Sequence, residues 1–179
     1  RRFDMVSLIN ALHELPMKQF PSLFLDMLYL CSNDGRLAIF DMTKLLETEP
    51  GALPISDEEM QTFLDAFFSS LGAENVSQPV SKCQFSATEA FFFRLRKNLV
   101  PTFDKLYEQE KEQIVSKLLE KWKDILIQKL ATLNQNIYQL ADELFLMASE
   151  ETDATDKLNE LSSLTQQFCQ ISRAKDHCS

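Results

Sequence analysis

The 179 residues are enough for one domain with a real core, or a small domain with an appendage, and too few for two full domains. A hydrophobic fraction of 45% that includes 14 phenylalanines excludes a disordered chain, because such a composition can offset the entropy of ordering. A net charge of -9 without any cluster of Lys and Arg excludes a grip on a phosphate backbone, so no nucleic acid is expected as a partner.

The first element is the apolar run Phe3–Ile9, which predicts a buried parallel strand ending in the polar stretch Asn10-Ala11-Leu12-His13-Glu14. Lys18–Leu30 predicts a helix whose apolar face carries Phe20, Leu23, Phe24, Met27, Leu28 and Leu30. Asn33-Asp34-Gly35 reads as a turn, and Arg36–Phe40 as a second buried strand that ends at Asp41. Strand, helix and strand in this order form a right-handed βαβ unit with a parallel sheet. The carboxyl ends of such strands make the rim where ligands bind in open α/β sheets.

Residues 45–53, broken by Glu49-Pro50-Gly51, read either as a lid over that rim or as a plain connector. Ser56-Asp57-Glu58-Glu59 is a capping box, because the Ser hydroxyl can accept from the Glu59 amide while the Glu59 carboxylate reaches back. The helix it opens runs to about Leu71, buries Met60, Phe63, Leu64, Phe67 and Phe68, and is ended by Gly72. Two strands are expected near 75–82 and 89–95. Phe91-Phe92-Phe93 predicts a strand buried on both faces and not a base-stacking platform, which would alternate with basic residues.

From Pro101 onward there is no further Gly or Pro, and the chain reads as helix. Val115, Leu119, Trp122 and Leu126, then Leu130, Leu133, Ile137, Leu140, Leu144 and Met147, follow at steps of three and four with one stutter, so one narrow seam is expected. Glu150 to Thr155 breaks the pattern, and a last helix from Asp156 to about Ala174 presents Leu158, Leu161, Leu164, Phe168 and Ile171. Two such helices predict an antiparallel hairpin. Its seam packs either within the chain or on another protein, which makes the 101–175 helices a candidate partner-binding element.

Cys31, Cys83, Cys169 and Cys178 form no C-x-x-C and have no His at ligand spacing beyond the terminal His177-Cys178, so no metal is expected and the thiols read as reduced. There is no leader-like start and no apolar stretch near the ~20 residues of a membrane span. A soluble cytoplasmic protein is expected, with no membrane contact. The lack of an initiator Met before Arg1-Arg2 suggests a truncated or processed start.

Phe3-Asp4-Met5-Val6-x-x-x-Asn10-x-Leu12-His13-Glu14-Leu15 and the later Asp34-Gly35-Arg36-Leu37-Ala38-Ile39-Phe40-Asp41 together resemble the fourth and fifth strands of class I S-adenosylmethionine-dependent methyltransferases. Asp34-Gly35-Arg36 departs mildly from that family's Pro-Gly-Gly form, and the helix and two strands that follow resemble its antiparallel ending. The resemblance implies an α/β fold: the C-terminal part of a Rossmann-like sheet over residues 1–98, followed by an α-helical hairpin over 99–179. It also implies that the family's glycine-rich loop and ribose-holding acid lie upstream of Arg1, since Gly35, Gly51 and Gly72 all sit in other turns. S-adenosylmethionine is then expected to bind only with that missing half.

Under this resemblance Ile9, Asn10 and Ala11 face the methyl donor. His13 is the catalytic candidate, as a base or as the group that orients a small-molecule or protein methyl acceptor. Glu14 and Asp41 are the candidates for binding polar groups of the acceptor. Each has a plain structural alternative: a cap or solvent-facing role for His13, a favourable charge at a helix start for Glu14, and a strand end for Asp41. The function expected is the C-terminal portion of a methyltransferase, inactive alone; the alternative is a noncatalytic interaction module.

Overall fold

Two apolar runs separated by one amphipathic helix pair in parallel, as the pattern requires. β1 (Phe3–Ile9) and β2 (Cys31–Met42) run side by side from Val6 opposite Leu37 to Ile9 opposite Phe40, and α1 (Phe20–Leu30) makes the crossover. The computed structural model describes residues 2–43, 53–73, 76, 78–85, 88–149 and 155–176. Most of the 45–53 segment and the 150–154 break lie outside the described residues.

Asn33-Asp34-Gly35 is not a free turn before the second strand. It lies inside β2, where the pairing jumps from Phe3 opposite Cys31 to Met5 opposite Arg36. The bulge brings the β1 backbone so close that a Cβ at Gly35 would sit 2.8 Å from the Phe3 carbonyl oxygen. Glycine is the residue that fits.

α2 (Asp57–Ser70) opens with both arms of the capping box: the Ser56 hydroxyl accepts from the Glu59 amide, and the Glu59 carboxylate accepts from the Ser56 amide at 2.8 Å. It ends at Gly72, whose φ of +69° suits a residue without a Cβ. The two closing strands are β3 (Ser81–Phe85) and β4 (Thr88–Arg96). β3 starts later than residue 75 because Pro79 has no amide to donate and the Val80 amide donates to the Gln61 side chain at 3.0 Å. β4 lies antiparallel between β2 and β3, which gives the sheet order β1-β2-β4-β3.

Two burial expectations are corrected. β1 is an edge strand, with Phe3 47%, Met5 59% and Ile9 66% exposed, since β2 alone pairs with it among the described residues. β4 is not buried on both faces either: Phe91 and Phe93 point inward, while Phe92 between them is partly exposed.

The core is an aromatic cluster over one face of the sheet. Phe24 meets Phe67 edge-on at 4.9 Å and Phe63 at 5.3 Å, and Phe20 lies 4.8 Å from Phe63. α3 (Phe103–Ser149) completes it by inserting Trp122 between Phe20 and Phe63, 5.3 and 5.2 Å from their ring centres. In this part α3 buries a second row, Ile114 and Leu118, beside the expected seam. The chain divides into two compact units, Arg1–Trp122 and Lys123–Ser179.

In the second unit α4 (Thr155–Asp176) runs antiparallel to the rest of α3: Lys157 bonds Glu143, and Leu164 shares a groove with Asn136 and Leu140. No described helix is long and apolar enough to cross a membrane.

β3 is tied to the start of α2 by Lys82, which lies 3.0 Å from Glu58 and 3.3 Å from Asp57. The hydrogen bond from Lys82 holds the Glu58 carboxyl down at about 2 against an ordinary 4.5. A depressed folded pKa adds stability that is present above pH 4.5 and is lost as the pH falls towards about 2. Because both groups are exposed, the effect is small. The stability difference between the protein and Lys82→Ala should shrink across this window in urea titrations, and a difference that stays constant would count against the pairing.

Candidate functional site

The carboxyl ends of β1 and β2 meet at one rim. Asn10 follows β1 with φ +51°, the one non-glycine residue with positive φ among those described, and its amide still donates to the Phe40 carbonyl at 2.8 Å. Asparagine tolerates the left-handed region better than most side chains, and such outliers concentrate where the chain must turn sharply or meet a ligand. The chain then enters a single 3₁₀ turn, Leu12–Glu14, that buries Leu12 and His13 and leaves Glu14 exposed.

Asp41, one residue beyond the last parallel pair on β2, turns its carboxylate into this turn. One oxygen accepts from the backbone amides of Leu12 and, at 3.2 Å, His13. The other accepts from His13 Nδ1 at 2.5 Å and from the Met42 amide at 2.7 Å. Both side chains are 2% exposed. A carboxylate only accepts, so it holds Nδ1 as the donor. The His13 carbonyl in turn accepts from Leu53 at 2.7 Å, which fastens the approach to α2 onto the same turn.

His13 and Asp41 are therefore brought into direct contact, while Ile9, Asn10 and Glu14 form the exposed surface of the rim and Ala11 is half-buried between them. Nothing in the residue types alone announces the pair. Register brings Asn10 level with Asp41, and the 3₁₀ turn that follows folds His13 back onto the carboxylate.

A second polar cluster, which sequence reasoning missed, lies at the opposite end of the sheet. Lys97 is buried, donates to the carbonyls of Tyr29 (3.2 Å) and Cys31 (2.8 Å), and pairs with Asp104 at 2.6 Å. It thereby closes the carboxyl end of α1, where a cation is favourable. Burial pushes the Asp104 carboxyl up, but hydrogen bonds from Arg2 and Lys97 outweigh it and leave it below its usual range. Burial raises the Cys31 thiol despite the charge of Lys97, as expected of a cysteine packed in the core.

No group of three His, Cys, Asp or Glu side chains placed to hold a metal occurs among the described residues. What the structure defines is an α/β domain with a mixed sheet and a rim organised by a buried Asp–His pair. No protein-family model, curated protein or solved structure matches this chain.

Proposed function

We propose that this chain is the C-terminal part of an S-adenosylmethionine-dependent methyltransferase and that it binds the donor only together with the first half of a Rossmann-like sheet. The observation that carries this reading is the edge of β1, which pairs with no strand but β2 among the described residues. Strands with parallel neighbours are normally covered on both sides, and a long apolar edge invites a further strand. Phe3, Met5 and Ile9 give β1 the surface of an interior strand. The antiparallel pairing of β4 with β2 and β3 also agrees with the antiparallel ending that the sequence resemblance implies.

The described residues do not by themselves fit S-adenosylmethionine. Gly35 is packed against the β1 backbone at the far end of the sheet, Gly72 ends α2, and the Asp41 carboxylate is taken up by His13 and backbone amides. Asn10 and its neighbours offer one wall of a site, so no transfer step is derived from them. In this reading Asp41 is a positioning residue that fixes the ring of His13, and Glu14 is the exposed acid available to an acceptor.

Calorimetry tests the proposal. The 179-residue chain is expected to give no measurable heat with S-adenosylmethionine, and the same chain extended through the upstream coding region is expected to bind it. Sub-millimolar binding by the chain alone, or none by the extended chain, would overturn the reading. The burial of His13 is the observation that favours the second reading, a noncatalytic interaction module, since a base sealed at 2% exposure meets no acceptor.

A further inference from the structure

We propose that α3 carries a second, self-complementary seam through which two copies of this chain pair antiparallel. The stripe is Ile127, Ala131, Asn134, Tyr138, Ala141 and Phe145, spaced by four, three, four, three and four residues. All six are exposed, Ile127 at 42%, Tyr138 at 66% and Phe145 at 78%. Each directly follows a residue of the seam that faces α4, so the stripe is turned about 100° from that seam. Two apolar faces near a right angle are what a helix at one corner of a four-helix bundle presents.

The spacing is that of heptad a and d positions, and none of the six residues is charged although the chain carries a net -9. Its order identifies the occupant. Read from either end the stripe runs large apolar, alanine, polar, polar, alanine, large apolar. Turning a second copy end over end therefore sets Ile127 against Phe145, Ala131 against Ala141 and Asn134 against Tyr138. Every layer then joins an a to a d position, which is the pairing antiparallel helices make.

Small residues meet small ones, which lets the backbones approach. The Asn134 amide meets the Tyr138 hydroxyl and so has a polar partner in the middle of an apolar seam. A buried Asn at such a position fixes register. This is the reciprocity a two-fold interface demands, with residue i on j and j on i. The flanking positions also agree: Gln128 falls near Asp142 of the copy and Gln135 near its own equivalent, with no like charges opposed.

Nineteen residues of helix, about 28 Å long, bury roughly 1,000 Å² over both copies, at the low end of specific interfaces. A reversible dimer with a midpoint on the order of 10 μM is expected.

Sedimentation velocity of the full chain between about 1 and 100 μM should show the monomer–dimer shift. Phe145→Glu, at an exposed position that leaves folding intact, should weaken it at least tenfold, with the far-ultraviolet spectrum unchanged. Mixing Ala131→Cys with Ala141→Cys chains under mild oxidation should give a 131–141 disulfide by peptide mapping. A monomer throughout, a dimer indifferent to Phe145→Glu, or a 131–131 crosslink from a parallel pair would each overturn the proposal.

Discussion

Asp41→Ala is expected to destabilise the sheet unit by about 3–5 kcal/mol, because several buried donors lose their one acceptor together. The substitution strips the acceptor from the Leu12 and His13 amides and from His13 Nδ1 at once, and all of these groups lie where water does not reach. Each buried donor left unmade costs about 1–3 kcal/mol, so the total follows even if one of them finds a new partner. His13→Ala should cost less, about 1–3 kcal/mol, because the carboxylate keeps its backbone donors. Guanidinium unfolding followed by circular dichroism measures both, and an Asp41→Ala loss under 1 kcal/mol would mean that the carboxylate does not hold the rim together. The test also separates two meanings of the pair. If Asp41 only orients His13 for chemistry, its removal leaves the fold intact.

What could be read from the residues, and what could not, follows from the range of the interactions. The Ser56–Glu59 box was legible because both hydrogen bonds close within four residues. The βαβ unit was legible because hydrophobic period and turn chemistry are local as well. The burial of β1 was misread because apolarity shows that a strand can be covered, while its place at the edge depends on what pairs beside it. His13 and Asp41 were each picked out as site candidates, but their contact spans 28 residues and appears only with the β1–β2 register. The stripe on α3 escaped the hydrophobic pattern because two of its six positions are alanine and one is asparagine, so only its exposure and spacing together make it visible.

Trp122→Ala is expected to cost about 3–5 kcal/mol, the range for truncating a buried aromatic side chain. Trp122 is fully buried between Phe20 of α1 and Phe63 of α2, so its loss opens a cavity where three helices meet, and the nearby rings cannot all collapse into it. Trp122→Phe separates shape from polarity. The indole N–H is buried with no acceptor among the described residues, which is a standing cost in the folded state. Phenylalanine keeps a ring against Phe20 and Phe63, loses the volume of one small ring and removes that orphan donor, so the two changes offset and the net loss should stay below about 1.5 kcal/mol. Since Trp122 is the single tryptophan, its substitution also removes the indole fluorescence, and both variants are best compared with the parent by circular dichroism in guanidinium. Equal losses for the two variants would mean that the N–H does have a partner and that α3 is held here by a hydrogen bond as well as by packing.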